Sequence, residues 1–212
     1  MILRVISFVC LPLLLLPALG ADVVVNSKLA RGKTFRSVLV LPPQVDVAGK
    51  APRIPRDSQS DLETAAATTM SCLQVKGYHL VESPAGPKNA SESVLADIHS
   101  IQGKYDLLAR SLLQSSADVA KGKLTMGAAL VTLRQQTGAD AFVFVRGRSY
   151  FPSGGLFGAA LKMVTGPESV DVYESLVDGE SGELLFFVDL SCPTEDFGKL
   201  LGKAFRKLPS AP

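Results

Sequence analysis

Two short runs of nearly unbroken apolar residues constrain this chain more than any other feature. Residues 37–42 read SVLVLP and residues 141–145 read AFVFV. A strand with one wet face alternates apolar and polar residues, whereas an unbroken run implies burial on both faces. Two such strands need a layer above and a layer below. The intervening sequence supplies helices to pack on the sheet. Leu62, Ala65, Ala66, Thr69, Met70 and Leu73 recur at helical spacing, and Gly77 marks their stop. Ser60-x-x-Glu63 ahead of them has the form of a capping box. A strand is expected over 78–82 (YHLVE). Residues 94–114 carry the apolar pairs Leu107-Leu108 and Leu112-Leu113, with Gly103 dividing the region, and a further helix is expected over 126–137, stopped by Gly138.

The second half reads in the same way. Strands over 169–177 and 184–190 flank the turn Asp178-Gly179-Glu180-Ser181-Gly182-Glu183, so they should form an antiparallel hairpin. A last helix puts Phe197, Leu200, Leu201, Ala204 and Phe205 on one face. Lys199, Lys203, Arg206 and Lys207 lie towards its end, where cations complement the helix dipole. The proline-rich residues 43–57 and residues 84–93 read as loops, and 209–212 as a loose tail. The order is β-α-β-α-α-β-insert-β-β-α. It specifies an α/β fold, a single mixed sheet of about five strands with helices packed on it. The domain is expected to occupy residues 37–208, behind an extension over 21–36.

The first twenty residues carry an export signal. Arg4 is the only charge before Asp22, and residues 5–19 are apolar apart from Ser7. Ala18-Leu19-Gly20 then places small residues before a cleavage point, the pattern of a secretory signal peptide. The apolar stretch is shorter than the roughly 20 residues of a membrane span, and Pro12 and Pro17 interrupt it. A mature chain from about Ala21 is expected in the periplasm or outside the cell. Such a compartment permits a disulfide between Cys72 and Cys192, worth roughly 4–5 kcal/mol in the chain-entropy account. The alternative is two separate buried thiols.

Four pieces of this sequence, taken in order, resemble the CsgG-like envelope proteins. They also resemble the amino-terminal domain of TolB and small lipoproteins of the LpoB cell-wall synthase activator type. They are the strand ending in proline (Val38-Leu39-Val40-Leu41-Pro42), the step Gly77-Tyr78-His79-Leu80-Val81-Glu82, the entry Gly138-Ala139-Asp140-Ala141-Phe142-Val143, and the hairpin Asp178-Gly179-Glu180-Ser181-Gly182-Glu183-Leu184-Leu185. The resemblance spans most of residues 37–207. It implies an anticodon-binding, TolB-N-like fold and a non-enzymatic role in the cell envelope. The lipoprotein members begin with an acylated cysteine. Here Cys10 lies inside the apolar run behind Phe8 and Val9, so only peripheral membrane contact is expected.

Reactive groups are few. The chain holds two histidines and no tryptophan. Its net charge of +2 and pI near 8.4 are mild for a nucleic-acid binder. There is no Gly-x-Ser-x-Gly elbow and no P-loop. His79 and His99 read as surface or satisfied groups. Asp178, Glu180 and Glu183 read as a solvated turn rather than a calcium site. No catalytic, cofactor or metal residue is assigned.

The unusual segment is 150–167, where Tyr150-Phe151-Pro152-Ser153-Gly154-Gly155 leads into an apolar stretch whose one charge is Lys162. It either folds back on the core, touches a membrane surface, or offers Phe151, Leu156, Phe157, Leu161, Met163 and Val164 to a partner. The expected function is an exported, non-enzymatic envelope protein. It would bind a protein partner or a second copy of itself, without nucleic acid or cofactor. The alternative is a periplasmic hydrolase or a small-molecule-binding domain whose site is not visible as a motif.

Overall fold

The computed structural model describes residues 20–48, 56–84, 92–114, 117–150 and 169–212. Among the described residues seven strands form one mixed sheet: β1 (Gly20–Val25), β2 (Ser37–Val40), β3 (Gln44–Ala48), β4 (His79–Leu80), β5 (Ala141–Tyr150), β6 (Ser169–Asp178) and β7 (Leu184–Pro193). Their order is β1-β7-β6-β5-β2-β4, with β3 also on β5. The helices are α1 (Ser27–Ala30), α2 (Arg56–Val75), α3 (Glu92–Gln114), α4 (Ala117–Ala120), α5 (Val131–Thr137) and α6 (Thr194–Phe205), with a 3-10 turn over Gly127–Leu130.

The mixed sheet under helices is as the sequence indicated, but it has seven strands rather than about five. Both additions lie where an extension or a loop was expected. β1 pairs antiparallel with β7, from Gly20↔Ser191 to Val25↔Phe186. β3 is the continuation of β2, since both run parallel to β5 along successive stretches, Val38↔Ala141 to Val40↔Val143 and then Gln44↔Arg146 to Ala48↔Tyr150. Pro42 and Pro43 separate them because neither has an N–H for the ladder.

Each face of the sheet carries its own core. On one, Leu62, Ala65 and Leu73 of α2 and Phe197, Leu201 and Phe205 of α6 cover Val143, Val145, Val172, Leu176 and Val188. On the other, Ile98, Ile101, Tyr105 and Leu112 of α3, with Leu130 and Leu133, cover Leu39, Phe142, Phe144, Tyr173 and Phe187. Alternate residues of β5 therefore enter opposite cores. This is why its sequence does not alternate. A register shift between Leu176 and Val177 puts Leu185 and Phe186, neighbours in sequence, into the same core.

Three local expectations change. α2 begins at Arg56, so Ser60 lies inside it and its carbonyl accepts from Thr64 Oγ1 at 2.9 Å instead of capping. α3 runs unbroken through Gly103, which is exposed and meets nothing where a Cβ would stand. The tail is tied down: Tyr78 Oη donates to the Pro209 carbonyl at 2.6 Å, and the Ala211 N–H donates to the Lys76 carbonyl at 2.9 Å. The end of α2 leaves backbone groups open, and the tail satisfies one of them, the Lys76 carbonyl.

The connections have a polarity. The chain enters β1 at Gly20, leaves β3 at Ala48, leaves β5 at Tyr150 and re-enters β6 at Ser169. The registers put all four at one end of the sheet. α1, the turn after β6 and the C-terminal tail gather at the other end.

Candidate functional site

Phe151, Leu156, Phe157, Leu161, Met163 and Val164 lie outside the described residues. The frame that carries them is described. β5 and β6 pair antiparallel from Ala141↔Asp178 to Arg148↔Asp171, and residues 151–168 connect them. Halfway along this frame two ionisable side chains are buried, one on each face.

Arg146 faces α3 and is fully buried. Its Nε and Nη2 donate to Asp106 Oδ1 at 3.1 and 2.7 Å, and Nη2 also reaches the Gln102 carbonyl at 3.3 Å. Gln102 and Asp106 are four residues apart, one helical turn, so α3 offers both to the same guanidinium. The guanidinium carbon lies 5.1 Å from the Tyr105 ring centre, and that ring stacks on Phe144 at 4.1 Å. Tyr105 Oη also shares a 2.6 Å hydrogen bond with Ser175 Oγ. Gln102 Nε2 donates to the Pro42 carbonyl at 3.1 Å, in the gap between β2 and β3. Nη1 of Arg146 and Oε1 of Gln102 have no protein partner among the described residues. This cluster binds α3 to the sheet where the ladder between β5 and the β2–β3 line is interrupted.

Glu174 faces α2 and is also buried. Oε2 accepts from Thr69 Oγ1 at 2.7 Å, and Oε1 has no partner among the described residues. Burial pushes its carboxyl up to about 8, against the opposing pull of the Thr69 hydrogen bond. At neutral pH it is mainly a neutral acid, which explains how it sits in the core without a cation.

Cys72 follows Thr69 by one turn on the same helix face and is a free thiol. The expected pairing of Cys72 with Cys192 rests on a Cys192 side chain that lies outside the described ones. Burial, and then the nearby Glu174, push the Cys72 thiol up, which makes it a poor nucleophile.

The turn after β6 is not the solvated turn expected. Asp178 and Glu183 are buried, and each is matched by a lysine. Asp178 Oδ2 accepts from Lys33 Nζ at 2.5 Å, from the Ser181 N–H at 3.1 Å and from Ser181 Oγ. Burial alone would raise its carboxyl, but Lys33 and Ser181 outweigh it and hold the group below its ordinary value. Glu183 accepts from Lys28 Nζ at 2.5 Å and from Asn26 Nδ2 at 3.0 Å. Asn26 also caps α1, its Oδ1 accepting from the Lys28 N–H at 2.7 Å. Gly182 is at φ +68, and a Cβ there would lie 2.7 Å from the Gly127 nitrogen. Among the described residues no group of three metal-ligating side chains forms.

Asn26 joins three elements, so Asn26→Ala is expected to destabilise the protein by about 2 kcal/mol. Urea unfolding measures this, and a loss below about 0.5 kcal/mol would show that the cap is dispensable.

His79 on β4 and His99 on α3 are both exposed. Neither sits in the buried clusters around Arg146 and Glu174. Among the described residues no helix is long and apolar enough to cross a membrane.

No family profile matches the chain, and no curated protein matches it. Among solved structures it is similar to the lipoprotein GNA1162 of Neisseria meningitidis, with 18% identity, 74% of this chain and 79% of that one covered, and a TM-score of 0.37. It is similar to the PelC dodecamer of Paraburkholderia phytofirmans, with 12% identity, coverage of 91% and 99%, and a TM-score of 0.44. It is also similar to the LpoB C-terminal domain of Salmonella enterica, with 12% identity, coverage of 79% and 91%, and a TM-score of 0.34.

Proposed function

We propose that this is an exported, non-enzymatic envelope protein that associates with a second copy of itself or with a protein partner through residues 151–168. One observation carries the reading. β5 and β6 are adjacent, antiparallel and paired up to Arg148↔Asp171, where two to five residues would close a hairpin. The connection is 151–168 instead, and its sequence is apolar with Lys162 as its one charge from Leu156 to Val164. A long connection between strands that do not need one is commonly a functional element.

The buried groups support the reading in a second way. Arg146 and Glu174, at the centre of the frame, are committed to holding helices on the sheet. Helices packed on both faces brace the frame from which a contact surface can act.

Light scattering after size exclusion, on the chain from Ala21 onward, tests the proposal. Phe157→Asp is expected to abolish association and leave the circular dichroism spectrum and Tm unchanged. Association that survives this variant would overturn the assignment to residues 151–168.

A further inference from the structure

A cleft of about 530 Å³ opens at the end of the sheet opposite Tyr150, between α1, the end of α2 and the residues after α6. Its walls divide by chemistry. Val25, Ala30 and Pro209 give it an accessible apolar side, and Lys76, Arg206 and Lys207 give it three cations. No acidic side chain stands among the described residues that line it.

Lys76 is held in place by the backbone. Its Nζ donates to the Leu208 carbonyl at 2.7 Å and to the Arg206 carbonyl at 3.3 Å. An ammonium has three N–H donors, so one remains, and neither carbonyl neutralises its charge. Arg206 and Lys207 are exposed, and among the described residues no carboxylate pairs with them or with Lys76. The buried acids at this end of the sheet, Asp178 and Glu183, are already matched by Lys33 and Lys28. Cations after a helix end ordinarily complement its dipole. That accounts for Arg206 and Lys207 as residue types, but not for an apolar wall facing them.

We propose that this cleft binds a small amphiphilic anion, a phosphate ester whose head lies among Lys76, Arg206 and Lys207 and whose apolar body lies on Val25, Ala30 and Pro209. Three cations exceed what one carboxylate balances, whereas a phosphate ester offers more charge and several strong acceptor oxygens. The volume lies in the range of small-molecule sites, about 300–1,000 Å³. A soluble ester and an anionic lipid head group share this chemistry.

Titration calorimetry with hexyl phosphate tests the site directly. Saturable binding with a Kd below about 1 mM is expected, with binding of 1-hexanol and of inorganic phosphate at least tenfold weaker. The paired substitutions Arg206→Gln and Lys207→Gln should weaken hexyl phosphate at least tenfold at unchanged Tm. They are the deciding variant because Lys76→Met would also release the tail. Absence of saturable binding, equal binding of hexanol, or undiminished binding by the paired variant would overturn the proposal. Given binding, vesicles distinguish the source. Displacement of hexyl phosphate by phosphatidylglycerol vesicles but not by phosphatidylcholine vesicles identifies a lipid head group. Binding that neither vesicle displaces identifies a soluble ester.

Discussion

Glu174→Gln is expected to raise the stability of the protein above neutral pH and to flatten its dependence on pH. In the unfolded chain this carboxyl has its ordinary value of 4.5, and in the fold burial raises it to about 8. The folded chain therefore holds a proton that the unfolded chain releases across that window. The contribution is fully present below 4.5 and is lost as pH climbs towards 8, so stability falls with rising pH in between. At about 1.4 kcal/mol per unit of difference, the loss amounts to a few kcal/mol across the window. Glutamine keeps an oxygen for Thr69 Oγ1 and has no proton to lose. The two proteins should have similar Tm at pH 4.5, and the variant should melt several degrees higher at pH 8.5. Parallel Tm curves for the two proteins from pH 4.5 to 8.5 would show that Glu174 does not titrate in this window.

The second large effect lies on the other face. Asp106→Ala leaves the buried guanidinium of Arg146 without its carboxylate and should cost about 3 kcal/mol. The cost belongs to the stranded charge rather than to the lost contact. Adding Arg146→Met removes that charge while keeping apolar volume against Tyr105, so the double variant should recover most of the loss. Urea unfolding of the four proteins in the cycle measures this. A double variant as unstable as Asp106→Ala alone would mean that packing of the guanidinium, not its charge, is what α3 depends on.

Those two residues also show where sequence reading stops. β2 and the first half of β5 were legible because Val38 to Leu41 and Ala141 to Val145 are apolar in both phases, which only a doubly covered strand requires. The β6–β7 hairpin was legible from its turn. Arg146 and Glu174 were not, because a polar residue in a strand ordinarily marks the wet phase, and this sheet has no wet phase at its centre. Their partners, Asp106 and Thr69, are distant in sequence and give no local signal. β1 and β3 were missed for different reasons. Val23, Val24 and Val25 are strand-formers that need β7 to complete them. Gln44-Val45-Asp46-Val47-Ala48 does alternate, but it follows two prolines, and what restores it is the parallel edge of β5. The capping box failed because α2 starts a turn earlier, and the motif is equally at home inside a helix. Residues 150–167 stood out by composition, and Phe157 remains the position on which that expectation is tested.

The polarity of the sheet has a mechanical consequence. Gly20 and Tyr150 lie at one end, while Arg206 and Pro209 lie at the other, separated by roughly the length of the ten-residue central strands, about 33 Å. Two bodies engaged at these opposite ends would be held apart by a strut. Because α2 and α6 clamp one side of it and α3 the other, tension between the ends would load the ladder along the strands, shearing many hydrogen bonds together rather than peeling them one by one.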